Sequence, residues 1–127
     1  MHKKTIAIVD DDQLFHWIVK KYLGSMEIND NVLSFFNGDE AYNYLGRTAS
    51  EIPDIIMLDL NMPIADGWMF LDAFDKIKND LEKSVKIFIV TSSIDEEDRN
   101  RAREYEDVAD FISKPITQQI LQNKLLA

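Results

Sequence analysis

No cysteine occurs in the chain, which excludes disulfides, thiolate metal sites and a thiol nucleophile. That absence leaves the redox character of its compartment open. Histidine is almost as scarce: His2 and His16 are the two present, and both are expected on the surface, far from any strand end. A basic balance is missing as well. Lysine and arginine number 14 against 23 aspartates and glutamates, a net charge of -9. Nucleic-acid phosphates and anionic membranes both select a basic face, so neither is an expected partner. Long apolar runs are also lacking. Thr5 to Val9 supplies only about five residues before three aspartates, too few for a signal-peptide core, and no stretch could span a bilayer. A cytoplasmic location is expected.

What remains is ordinary for a soluble globular protein: 127 residues, 46% hydrophobic and 29% charged. That length suits one domain with one core. No linker, internal repeat or low-complexity segment interrupts it, so residues 1–127 are expected to form a single domain with no second, output domain.

The pattern alternates. Thr5 to Val9 reads as a strand, and Phe15, Ile18, Val19, Tyr22, Leu23 and Met26 recur at helical spacing after it. Asn29-Asp30-Asn31 is a turn. Val32 to Phe36 is a second strand closed by Asn37-Gly38, and Ala41, Tyr44 and Leu45 mark a short helix. Ile55 to Asp59 is a third strand, followed by a helix carrying Phe70, Leu71, Phe74 and Ile77. Lys78 to Ser84 is polar and mostly loop. Val85 to Val90 is a fourth strand. A highly charged helix runs from Glu96 to about Tyr105, with Ser93 and Glu96 fitting a capping box. Asp110 to Ile112 is a fifth strand, and Thr117 caps a last helix with Ile120, Leu121 and Leu125 on its core face. Strand and helix alternating five times imply βαβ crossovers and a parallel sheet with helices on both faces.

Parallel strands bring their carboxyl ends to one edge, where ligands bind in open α/β sheets. Asp10 and Asp11, then Asp59, Thr91 and Lys114 stand at those ends. Two carboxylates about 4 Å apart repel by roughly 4 kcal/mol at an effective dielectric near 20. Three together call for protons or a cation. With no histidine or cysteine ligand nearby, oxygen donors select a hard ion, Mg²⁺ or Mn²⁺. Mg²⁺ held by few carboxylates is commonly bound with a phosphate, and Lys114 adds a point charge suited to one. The cluster therefore places a phosphoryl group beside Asp59, and an aspartate can be the nucleophile that accepts it.

The residues Ile8-Val9-Asp10-Asp11, Asp59-Leu-Asn-Met-Pro-Ile-Ala-Asp-Gly67, Val90-Thr91-Ser92 and Phe111-Ile-Ser-Lys114-Pro115 together resemble the receiver domain of two-component response regulators. The resemblance covers essentially the whole chain and points to the stand-alone, chemotaxis-regulator-like type. It implies a flavodoxin-like fold with strand order 2-1-3-4-5. It implies Mg²⁺ bound directly by Asp11 and Asp59, through water by Asp10, and by the backbone carbonyl of Asn61. Thr91 and Lys114 would contact a phosphoryl group on Asp59, Ser92 would be the small residue beside it, and Phe111 would be the switch aromatic. The Lys114-Pro115 bond would be cis. The phosphoryl donor would be a sensor histidine kinase or histidine phosphotransfer protein, the output an unidentified protein target, and the chain a monomer or weak dimer. Such a chain is not an enzyme beyond assisting its own phosphorylation and dephosphorylation. Two features depart from the family: Asp107-Val108 stands where Gly-Ala is usual, and the fourth helix is nearly all charge.

Other readings fit less well. A receiver-like module that is never phosphorylated would lack Asp59, Thr91 or Lys114, and all are present. An aspartyl-nucleophile phosphatase of the haloacid dehalogenase class needs a second aspartate two residues on, where Asn61 stands. A flavodoxin needs a hydroxyl- and glycine-rich loop after the first strand, where Asp10-Asp11-Asp12 would repel a phosphate. A diffusible effector and a phosphorelay intermediate remain equally compatible with the sequence.

Overall fold

Five short apolar stretches form one parallel sheet, and the segments that follow them wind into helices. The computed structural model describes residues 4–28, 31–47, 51–62, 64–92 and 95–126. In chain order these hold β1 (Thr5–Val9), α1 (Gln13–Ser25), β2 (Asn31–Phe35), α2 (Gly38–Gly46), β3 (Ile55–Leu58), α3 (Gly67–Ile77), β4 (Lys86–Thr91), α4 (Glu96–Ala102), β5 (Val108–Ser113) and α5 (Gln118–Leu126). A 3-10 turn, Lys78–Asp80, extends α3. The strand order is β2-β1-β3-β4-β5, with every pair parallel. The alternation leads to the parallel, doubly wound sheet, and the resemblance to the flavodoxin-like strand order.

Successive strand residues face opposite sides of a sheet. Ala7, Val9, Ile56, Leu58, Ile87 and Ile89 share one core with Leu45 of α2, Phe70, Leu71 and Phe74 of α3, and Ala102 of α4. Ile6, Ile8, Ile55, Met57, Phe88 and Val90 share the other with Phe15, Val19 and Leu23 of α1 and Leu121 and Leu125 of α5. Both faces of β1 and β3 are buried, which is why their sequences are continuous apolar runs. Each fully buried side chain of this size contributes roughly 1.5–3 kcal/mol, so packing holds these helices more than propensity does.

α4 is the exception. It has seven residues and buries only Ala102 among them. Its support is local: the Asp95 carboxylate accepts the Asp98 N–H at 2.8 Å. The Arg99 and Arg101 guanidinium groups lie over the Phe111 and Trp68 rings, at 5.2 and 4.3 Å. The capping box expected at Ser93 falls on a residue outside those described, and Asp95 fills the capping role. The helix ends at Ala102 rather than near Tyr105, whose hydroxyl bonds to Asp72 of α3.

Other boundaries differ for physical reasons. Asn37-Gly38 does not close β2 with a turn but opens α2, the Asn37 side chain accepting the Glu40 N–H at 2.9 Å. Of the turn expected at Asn29-Asp30-Asn31, the first two residues lie outside those described and Asn31 is the first residue of β2. β5 starts two residues earlier than expected, and its register slips by one between Ile87–Val108 and Phe88–Asp110, leaving Ala109 as the extra residue. Asp107, at the family's Gly-Ala position, accepts the Lys78 ammonium at 2.9 Å and gives its carbonyl to the Ile87 N–H. Thr117 caps α5 through the Ile120 N–H at 3.1 Å, as expected, but Ile120 itself is only half-buried.

Candidate functional site

β1 and β3 are neighbours, and the chain leaves them in opposite directions, from β1 toward β2 and from β3 toward β4, which opens a crevice at the strands' carboxyl ends. The ladder runs one bond past both strands. The Asp10 N–H donates to the Phe35 carbonyl at 3.0 Å, and the Asp59 N–H donates to the Val9 carbonyl at 2.9 Å. The two carboxylates are thereby delivered into the same crevice by rigid elements.

The three consecutive aspartates after β1 divide their work. Asp10 is buried, its Oδ1 accepting the Asp12 N–H at 2.9 Å. Asp12 caps α1 by accepting the Leu14 N–H at 2.9 Å. Asp11 is exposed at the mouth of the crevice. One carboxylate oxygen from each of Asp10, Asp11 and Asp59 falls within a 4.8 Å cluster. Lys114 enters from the end of β5, its Nζ 2.7 Å from Asp10 Oδ2 and 3.8 Å from Asp59 Oδ2. That ammonium also lies over the Phe15 ring at 4.5 Å. The Lys114-Pro115 bond is cis.

One ammonium against three carboxylates leaves the cluster short of positive charge. Asp59 registers this. Its carboxyl is pushed up from the ordinary 3.8 to about 6, first by burial and second by the neighbouring Asp10 charge. Lys114 and the N–H groups of Asn61 and Leu60 oppose the rise without cancelling it. An all-oxygen cluster of this size, partly buried and under-neutralised, can bind a metal ion.

The loop after Asp59 is packed tightly against its own continuation. A Cβ on Gly67 would lie 2.5 Å from the Asp59 carbonyl and 2.8 Å from Leu60 Cα. The Gly67 N–H donates to the Leu60 carbonyl at 3.1 Å, and Asp66 caps α3 by accepting the Met69 N–H at 2.9 Å. Only glycine permits α3 to begin against the peptide that carries Asp59.

The structure thus brings Asp10, Asp11, Asp59 and Lys114 together. Asn61 is exposed in the adjoining loop, and Thr91 is fully buried at the end of β4. Ser92, exposed, lines a groove of about 410 Å³ with Lys114 and Pro115. Phe111 stands apart: it is half-buried on β5 against the α2–α4 core, under Arg99. His2 lies outside the described residues. His16 is not a surface residue. It is 3% exposed, its Nε2 lies 2.7 Å from the Asp10 carbonyl oxygen, and its ring packs on Phe36 at 4.4 Å. The signal was available: His16, Val19 and Leu23 repeat as i, i+3, i+7, the buried stripe of α1.

Residues 6–126 match the model of the response regulator receiver domain. The chain belongs to that family. The sensor histidine kinase CheAY of Helicobacter pylori is 30% identical over 116 residues, which cover 91% of this chain but 14% of the kinase. A protein-glutamate methylesterase/protein-glutamine glutaminase of Clostridium acetobutylicum is 31% identical over 91% of this receiver and 32% of its own length. The receiver therefore spans a third or less of these two relatives. Among solved structures, a two-component response regulator from Cytophaga hutchinsonii superposes with a TM-score of 0.84 at 26% identity, covering 96% of this chain and 94% of that one. Among the described residues no helix is long and apolar enough to cross a membrane.

Proposed function

We propose that this receiver is switched by transfer of a phosphoryl group onto Asp59, from a sensor histidine kinase or a histidine phosphotransfer protein. One observation carries the reading: a buried carboxylate at the end of β3 has two further carboxylates within 4.8 Å and an ammonium at 3.8 Å. Asp10, Asp11 and Asp59, with the backbone carbonyl of Asn61, are the groups that would hold Mg²⁺, and Mn²⁺ also suits the donor set. When bound, the ion supplies the positive charge that the cluster lacks and that an incoming phosphoryl group needs.

The remaining steps belong to the side chains. Ionised Asp59 forms a bond from carboxylate oxygen to phosphorus as the bond from phosphorus to the donor's histidine nitrogen breaks, the imidazole keeping the electron pair. Lys114 offers its ammonium to the phosphoryl oxygens, and Thr91 offers a hydroxyl from the end of β4. Asp59 is held ready by its burial, which keeps water from solvating the nucleophile. The chain assists reactions of its own aspartate alone. The message leaves through α4, β5 and α5 to a protein target. Phe111 supports that route, because it is half-buried under a guanidinium rather than locked in the core.

Intact-mass analysis after incubation with acetyl phosphate and Mg²⁺ tests the assignment. One phosphate is expected on the wild type and none on Asp59→Asn, and equal labelling of both would refute it.

A further inference from the structure

Asp10 is held from every side. Its N–H donates to Phe35, its Oδ1 accepts from the Asp12 N–H, and its Oδ2 pairs with Lys114. Its carbonyl oxygen lies 2.7 Å from His16 Nε2. A carbonyl only accepts, so Nε2 is the donor in this contact. The ring's other nitrogen, Nδ1, is buried and has no hydrogen-bond partner among the described residues. Placing a polar ring in a core position while leaving half of it unsatisfied is costly. A leucine or methionine on the stripe with Val19 and Leu23 would avoid that cost. The bond that His16 makes to Asp10 is what distinguishes it from such a residue.

That bond falls on an informative atom. The carbonyl of Asp10 and the N–H of Asp11 belong to one planar peptide unit. With the flanking Cα atoms held by β1 and α1, the direction of that carbonyl couples ψ of Asp10 to φ of Asp11. Those two torsions set how far apart the two side chains point, Asp10 inward to Lys114 and Asp11 outward to the mouth of the crevice. We infer that His16 is a positioning residue, which holds the Asp10–Asp11 peptide from within the core so that both carboxylates converge on one divalent cation. The inference rests on the metal-binding reading above and extends it to a residue that would touch neither metal nor phosphoryl group.

The test is the dissociation constant for Mg²⁺, measured by calorimetric titration of wild type, His16→Met, His16→Gln and His16→Asn, each first shown folded by circular dichroism. Methionine keeps the apolar volume and removes the donor. Glutamine can present an amide N–H near the position of Nε2, and asparagine is equally polar but too short to reach it. Loss of a group that orients a metal ligand typically weakens binding by about 10-fold or more. His16→Met and His16→Asn are expected to show a loss of about that size, with His16→Gln within a few-fold of wild type. If His16→Met or His16→Asn binds Mg²⁺ as tightly as wild type, His16 only packs the core and the inference fails. Should methionine prevent folding, the glutamine–asparagine comparison decides alone, and equal affinity in that pair refutes positioning. A wild type that does not bind Mg²⁺ would overturn the metal reading itself, a different result from metal binding indifferent to residue 16.

Discussion

Replacing Asp59 by asparagine should make the metal-free protein more stable, although it removes the proposed acceptor. The carboxyl at 59 has a folded value of about 6 against an unfolded value near 3.8, chiefly because burial disfavours its charge. At about 1.4 kcal/mol per pH unit, that difference is about 3 kcal/mol. Its sign follows from proton binding. Between pH 3.8 and 6 the folded chain holds a proton that the unfolded chain has released. Stability therefore falls as pH rises through that window, and the full cost is in place above it. Asparagine has nearly the same shape, still accepts from the Leu60 and Asn61 N–H groups, and cannot ionise. Without metal at pH 7.5, Asp59→Asn should gain about 2–3 kcal/mol, or roughly 10 °C at most for a domain of this size. At pH 4 the gain should fall below about 1 kcal/mol, because the wild-type carboxyl is then protonated when folded. Urea unfolding in EDTA at the two pH values, followed by far-ultraviolet circular dichroism, measures both. No gain at pH 7.5, or an equal gain at both, would refute the claim that Asp59 is strained by its own charge.

Three further outcomes are expected. Saturating Mg²⁺ at about one hundred times its dissociation constant should add about 2.7 kcal/mol to the wild type, while Asp11→Ala should melt higher than wild type without metal and lose that response; a full response in the variant removes Asp11 from the ligand set. Gly67→Ala should cost at least about 1–3 kcal/mol in urea unfolding, because its Cβ would stand 2.5 Å from the Asp59 carbonyl, and a neutral result would show that α3 can back away from the site. Beryllofluoride, a phosphoryl stand-in on Asp59, should alter hydrogen exchange in α4, β5 and α5; changes confined to the loops around Asp59 would refute the proposed output route.

How much of this was legible follows from how each residue announces itself. Asp10, Asp59, Thr91 and Lys114 could be read because each ends or follows an apolar strand, and a parallel sheet sends all such ends to one edge. Strand order followed from the family resemblance, and Gly67 stood in the motif that carried it. His16 reads as a surface residue by type, and only its place on the stripe of α1 marks it as buried. Asn37-Gly38 reads as a turn by residue type because asparagine-glycine serves both turns and helix starts, and only Glu40 three residues on separates them. The end of α4 and the slipped register of β5 depend on contacts between Tyr105 and Asp72 and between Lys78 and Asp107, which link residues about thirty positions apart. Local pattern carries no record of these.

The 2.7 Å pairing of Lys114 with Asp10 has a thermodynamic corollary. In this arrangement the lysine already holds one carboxylate oxygen of the acidic cluster. On the proposed reading, a divalent ion drawn to Asp10 would compete with that ammonium, and an ammonium so displaced would be free to turn toward an anion on Asp59. Ion and anion then each make room for the other, and linkage requires the coupling to be equal in both directions. The site would behave as an exchange of partners, with each ligand raising the affinity for the second by the amount the second raises it for the first.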